Sequence, residues 1–212
     1  MGTAKNGDSE LIKITLIDYF SGEILLNYIV EPDVPMQHLN TRYSGITWGQ
    51  MRNAQRKRAC LKATKSARNA VWTYVNEHTI VVGHGVNNDL RALKWIHENV
   101  VDSMVIERNK KKIREEKEAL AKEEAVAKAK AEGTYVEPVE IEAVPGALDG
   151  YAAPAQKKKK KKGGDLSLKF LADARLGRKI QLGDGTTGHD SLEDAVAARD
   201  LVHWHIAHAD AE

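Results

Sequence analysis

The chain has 212 residues, 42% of them hydrophobic, and a formal net charge of +2 at pH 7, enough length and apolar content for one buried core. Its single cysteine, Cys60, excludes a disulfide framework and fits a reducing compartment. No apolar run nears the ~18 residues that a membrane span needs, and "MGTAKNGDSE" lacks a signal-peptide apolar region, so a soluble intracellular protein is expected.

The first predicted elements are "LIKITLIDYF" (11–20) and "EILLNYIVEP" (23–32), rich in Ile, Leu and Tyr. Ser21-Gly22 between them is a two-residue turn signal, so the pair reads as a hairpin. Residues 48–76 read as mostly helical, with Ala67, Val71 and Val75 at helical spacing. "TIVVGH" (79–84) is a short buried strand, after which Asn87 or Asn88 caps a helix over "DLRALKWIHEN". "VVD" (100–102) is a last brief strand.

Residues 106–164 differ in kind. They hold 15 Lys+Arg against 11 Asp+Glu, and so all of the excess positive charge. "ERNKKKIREEKEALAKEEAVAKAKAE" (107–132) has almost no apolar stripe with which to dock on a core. Pro138, Pro145 and Pro154 follow, and then the run Lys157, Lys158, Lys159, Lys160, Lys161 and Lys162. A solvated helix and a flexible linker are expected, with the lysine run as a nuclear-import signal or a phosphate-attracting tether. Beyond it come a helix in "LSLKFLADARLG" (166–177), closed by Gly177, and a final helix from about 190 to 208. Residues 1–105 and 165–212 thus make one α/β layered domain with a mixed sheet flanked by helices, interrupted by 106–164.

Two first-turn acids lie at element junctions, where α/β folds build their sites. Asp89 follows the strand at 79–84, and Asp194 lies in "GHDSLEDA" (188–195). Each acid alone suits the positive end of a helix dipole, and Asp190 or Ser191 can cap the final helix. Neither effect calls for His189. Together the three could instead hold a divalent metal and move a proton, since Mg²⁺ takes hard carboxylate oxygens and an imidazole can accept a proton from attacking water.

The fragments "NTRYSGIT" (40–47), "VVGHGVNNDLRAL" (81–93), "VVDS" (100–103), "LSLKFLA" (166–172) and "GHDSLEDAVAA" (188–198) occur in that order. In them the chain resembles the RNA exonuclease branch of the DEDDh exonucleases, outside the insertion nearly from end to end. The resemblance implies a ribonuclease H-like fold and 3′→5′ removal of nucleotides from single-stranded RNA or another nucleic acid; with the lysine run, a nuclear and even nucleolar setting is expected. The resemblance also implies two ions, Mg²⁺ or Mn²⁺, about 3.5–4 Å apart between four carboxylates. By position, Asp89 and Asp194 match two of the metal-binding acids, and His189 matches the general base.

The family's first motif, an Asp-x-Glu on its first strand that usually reads Asp-Cys-Glu-Met, has no counterpart. The matching part begins at Met1, where the family has the residue after that motif, so the strand and both acids are expected upstream of residue 1. A late start or a fragment is the simplest account. Asp8-Ser9-Glu10 has the spacing but lies in a Gly/Asn/Ser-rich turn, and Glu140-Ile141-Glu142 falls inside the insertion; both read as decoys. In this fold family the first strand is central, so its loss would cost ~5 kcal/mol or more in backbone hydrogen bonds and buried side chains. The chain as given is expected to be inactive. A non-catalytic nucleic-acid-binding or protein-interaction module that keeps the fold is the alternative.

Overall fold

The computed structural model describes residues 1–135, 164–182 and 188–209. Strands β1 (Gly2–Ala4), β2 (Ser9–Glu10), β3 (Lys13–Ile17), β4 (Ile24–Glu31) and β5 (Met36–His38) lead into helices α1 (Thr41–Ser44) and α2 (Trp48–Arg56). Then come β6 (Cys60–Lys62), α3 (Ala63–Trp72), β7 (Val81–Gly83), α4 (Val86–Ala92) and β8 (Val100–Asp102). Helices α5 (Ser103–Ala131), α6 (Leu168–Leu176) and α7 (Ser191–Ala207) complete the order. The chain divides into two compact units, Met1–Glu107 with Gly164–Glu212, and Arg108–Gly163.

Apolar alternation builds the first unit. Ile14 on β3 and Leu26 and Val30 on β4 are buried with Ala67 and Val71 of α3, and Val75, Ala92 and Leu93 close the same cluster. β3 and β4 are antiparallel, as expected of a hairpin, but their connection is longer than the predicted two residues. The Asp18 carboxylate accepts from the backbone N–H groups of Phe20 and Ser21 and from the Ser21 hydroxyl. That capture of amides by a short acid widens the turn.

One stretch is divided and one cap differs from expectation. Residues 48–76 are mostly helical, as expected, but in two helices, α2 and α3. A capping box between Thr47 and Gln50 starts α2, but the chain leaves it beyond Arg56 and runs as β6, parallel to β4 with Ile29, Val30 and Glu31 opposite Cys60, Leu61 and Lys62. Ladder pairing there overrides helical propensity. Asn87 and Asn88 do not cap the next helix. Its N-cap is Gly85 at φ 73°, and the orphan N–H groups of Gly85 and Val86 donate to the Asp102 carboxylate at the end of β8, at 2.8 and 2.9 Å. That helix also stops at Ala92, short of "KWIHEN".

Parallel and antiparallel pairs coexist, but in three small sheets rather than one: β2-β1-β5, β3-β4-β6 and β7-β8. Among the described residues no strand pairs with the second edge of β3 or of β7. Helix α7 packs on both β3 and β7, and the Ser191 and Thr15 hydroxyls meet at 2.6 Å. Among the described residues, two strands of separate sheets thus present unpaired ladder groups beside one helix.

The first turn of α5 belongs to this unit. Glu107 is buried and takes a two-pronged salt bridge from Arg175 of α6 at 2.9 and 3.2 Å, with His205 of α7 3.4 Å away. The second unit is, among the described residues, the rest of α5 and the turn that follows it to residue 135. Its side chains are exposed along nearly the whole length, and Lys112–Glu116 and Lys128–Glu132 pair at i,i+4. Such pairs add only a few tenths of a kcal/mol each. The expected polylysine tether at Lys157–Lys162 lies outside the described residues.

Candidate active site

At the start of α7 the cap is Asp190, whose carboxylate accepts from Leu192 N–H at 3.0 Å. The imidazole of His189 is therefore not needed there. Its Nδ1 lies 3.9 Å from Asp194 Oδ2, and about a third of the side chain is open to solvent. Asp194 Oδ1 accepts from Gln181 Nε2 at 2.9 Å. Burial raises the Asp194 pKa, opposed by the Gln181 hydrogen bond and the nearby His189. The Tyr43 ring stands edge-on to the imidazole, centroids 6.0 Å apart.

Two glycines let the backbone before α7 reach the turn that closes α1. Gly45 sits at φ 69°, and a Cβ on it would strike the His189 carbonyl. A Cβ on Gly188 would strike the Thr41 carbonyl and the Gly45 backbone. Close backbone contact, with no side chain between, thus fixes where His189 emerges. Gly188→Ala should destabilise the domain by about 1–3 kcal/mol and move the imidazole resonances of His189. Urea unfolding and NMR check this, and an unchanged midpoint with unmoved resonances would contradict it.

Asp89 lies in the first turn of α4. Its side chain is exposed, yet desolvation by the surrounding protein pushes its pKa up to about 6; the Met1 amino group opposes this and the Asp102 charge adds to it. His84 follows the strand that leads to α4 and is held at both ring nitrogens. Its Nδ1 meets Ser103 Oγ at 2.9 Å and its Nε2 meets the Leu166 carbonyl at 3.0 Å. Burial lowers its pKa, while Asp102, Asp194 and Glu107 pull it back up. His84, Asp102 and Gln181 escaped the sequence reading, although "VVGH" and "VVDS" had marked the first two as parts of matching fragments.

The raised Asp89 pKa carries a sign. The carboxyl titrates near 6 folded against a usual 3.8. Its contribution to stability is thus full below about pH 4 and falls away as pH rises through about 6. Asp194 acts in the same direction and His84 in the opposite one. Asp89→Asn should remove the Asp89 share alone, so the mutant-minus-wild-type difference in urea stability should grow from about pH 4 to about pH 7. A difference that stays flat over that range contradicts the assignment.

Asp89 and Asp194 are hard oxygen donors of the type that suits Mg²⁺ or Mn²⁺. In number they fall short, because a two-ion centre needs more carboxylates. Among the described residues no group of three or more His, Cys, Asp or Glu side chains comes together as a metal-holding cluster. Asp8 and Glu10 do not make up the difference. Asp8 is exposed and hydrogen-bonded to Asn6, whereas Glu10 is buried on β2.

No family model matches the chain. It is similar to the protein named RNA exonuclease 3 of Candida albicans, 27% identical over 205 residues, covering 93% of this chain and 34% of that protein. The protein of the same name from Saccharomyces cerevisiae is 25% identical, with 91% and 33% covered. This chain spans about a third of the length of these curated relatives. Among solved structures, the Neurospora crassa Pan2 catalytic unit (protease and nuclease domain) superposes with a TM-score of 0.59 at 18% identity, covering 97% of this chain and 26% of that one. The Saccharomyces cerevisiae Pan2 pseudoubiquitin hydrolase–RNA exonuclease module, in complex with AAGGAA RNA, also gives 0.59, at 20% identity with 96% and 26% covered.

The chain has the ribonuclease H-like fold. The resemblance read from its motifs agrees with both comparisons, which span 91–97% of the chain. Its α4 and α7, whose first turns carry Asp89 and Asp194, are the elements that the fold's motifs had marked.

Proposed function

We propose that this domain type is a 3′→5′ exonuclease acting on single-stranded RNA, and that His189, Asp89 and Asp194 are this chain's share of its active site. The observation that carries the reading is the His189–Asp194 pair, 3.9 Å apart at the start of α7, where Asp190 already does the capping. An imidazole so placed accepts a proton from water, and the neighbouring carboxylate stabilises the imidazolium that results. Asp89 and Asp194 supply two oxygen-donor groups towards Mg²⁺ or Mn²⁺; the bound ions would contribute stabilisation of charge on the attacking and leaving oxygens.

The 212-residue chain itself should not perform the reaction, because it brings two of the needed carboxylates. The alternative is a nucleic-acid-binding or protein-interaction module that keeps the exonuclease fold without turnover. We place the protein in the nucleus or nucleolus, on the strength of the lysine run.

The test uses single-stranded RNA labelled at its 5′ end and a version of the chain extended by an apolar strand ending in Asp-Cys-Glu. A ladder of 5′-labelled products shortening with time, absent with Asp194→Asn, fits the proposal. Release of the 5′ label as a mononucleotide would reverse the polarity, and full activity of Asp194→Asn would remove that residue from the site.

Residues 106–164 should contribute charge rather than fold. Replacing 110–162 by a short Gly/Ser linker should leave the melting temperature nearly unchanged and weaken RNA binding mainly at low salt, because lysines act through screened, counterion-releasing contacts. Thermal unfolding and binding titrations at two salt concentrations check both halves. A loss of several kcal/mol in stability would show that the segment packs on the domain.

A further inference from the structure

The face formed by the end of α3 and the loop after α4 carries chemistry that RNA hydrolysis does not use. Trp72 is the last residue of α3, and Trp95 follows α4; their indoles meet edge to face, centroids 6.4 Å apart at 81°. With Val75, Ile96, Glu77 and Glu98 they line an open cavity of about 510 Å³. Trp72 is 49% exposed and Ile96 90% exposed. Single exposed apolar side chains need no explanation, but two indoles forming a corner beside two acids do.

The corner has the chemistry of a cation trap. Indole faces attract ammonium and guanidinium groups, and best where water is partly excluded. The chain already uses Trp72 in this way, since Arg68 holds its guanidinium carbon 5.3 Å from the ring centroid. That guanidinium is committed, with Nη1 donating to the carbonyls of Leu93 and Lys94 at 3.2 and 3.0 Å. Glu77 and Glu98 are both exposed, and Nε2 of the neighbouring His78 lies 3.4 Å from Glu77 Oε1. We propose that this corner docks a basic side chain, arginine or lysine, carried on an extended segment of a protein partner. The indoles take its charge, the two carboxylates balance it, and Ile96 covers an apolar residue next to it. Charge complementarity decides against nucleic acid, whose bases would stack on the indoles but whose phosphates would meet two carboxylates.

The site is independent of the exonuclease reading, so its test uses the 212-residue chain without metal. The probe is an acetylated, amidated Ala-Arg-Ala-Leu peptide, with Ala-Gln-Ala-Leu as control, followed through the indole N–H signals. Saturable shifts of the Trp72 and Trp95 signals are expected with the arginine peptide only. Affinity should fall by about tenfold or more in Trp72→Ala and in the double variant Glu77→Gln, Glu98→Gln. The Glu changes lie at exposed positions and leave the core alone, so they keep the test informative if the Trp72 variant fails to fold. No shift at millimolar peptide, equal shifts with the glutamine control, or stronger shifts of the same signals with oligouridylate would each overturn the proposal.

Discussion

Replacing His189 by alanine, in a chain extended with an apolar strand ending in Asp-Cys-Glu, should lower kcat by about 10²–10⁴-fold, the usual worth of a general base. The fold should survive, because the cap of α7 belongs to Asp190 and the backbone contact that seats residue 189 belongs to Gly45 and Gly188. KM for RNA should change little, since the imidazole acts on water rather than on binding. Single-turnover hydrolysis together with a thermal melt separates these effects. An unchanged rate would return His189 to a structural role.

The same extension should have the largest effect on stability. Among the described residues β3 and β7 each offer an unpaired edge, and both lie against α7. A strand placed between them would satisfy two rows of backbone groups and cover apolar side chains, a gain of about 5 kcal/mol or more. An extended chain with Pro at two successive inward positions of the new strand cannot complete the ladder and should lose most of that gain. Urea midpoints of the three proteins check this. Equal midpoints would mean that the space between β3 and β7 does not take a strand.

The sequence is most informative where one physical demand dominates. Apolar alternation marks β3 and β4, and Gly177 and Asp190 mark helix ends, because backbone groups at termini must find partners nearby. Asp89 and Asp194 were legible as first-turn acids, and His189 as a residue that capping did not require. What failed was remote. The cap of α4 comes from Asp102, sixteen or seventeen residues away in sequence from the groups it caps. Local reading therefore assigned the cap to Asn87 or Asn88. The strand β6 interrupts a stretch of good helix formers only because β4 is there to pair with it. Gln181 reaches Asp194 from the segment beyond α6, and nothing in its neighbourhood announces that contact.

The most direct measurement compares Mg²⁺-dependent hydrolysis of single-stranded RNA by the 212-residue chain, the strand-extended chain and the extended chain bearing Asp89→Asn. Turnover is expected of the extended chain alone. Robust hydrolysis by the 212-residue chain, abolished by Asp8→Ala or Glu10→Ala, would contradict it. So would an extended chain that folds, binds RNA and releases no nucleotide.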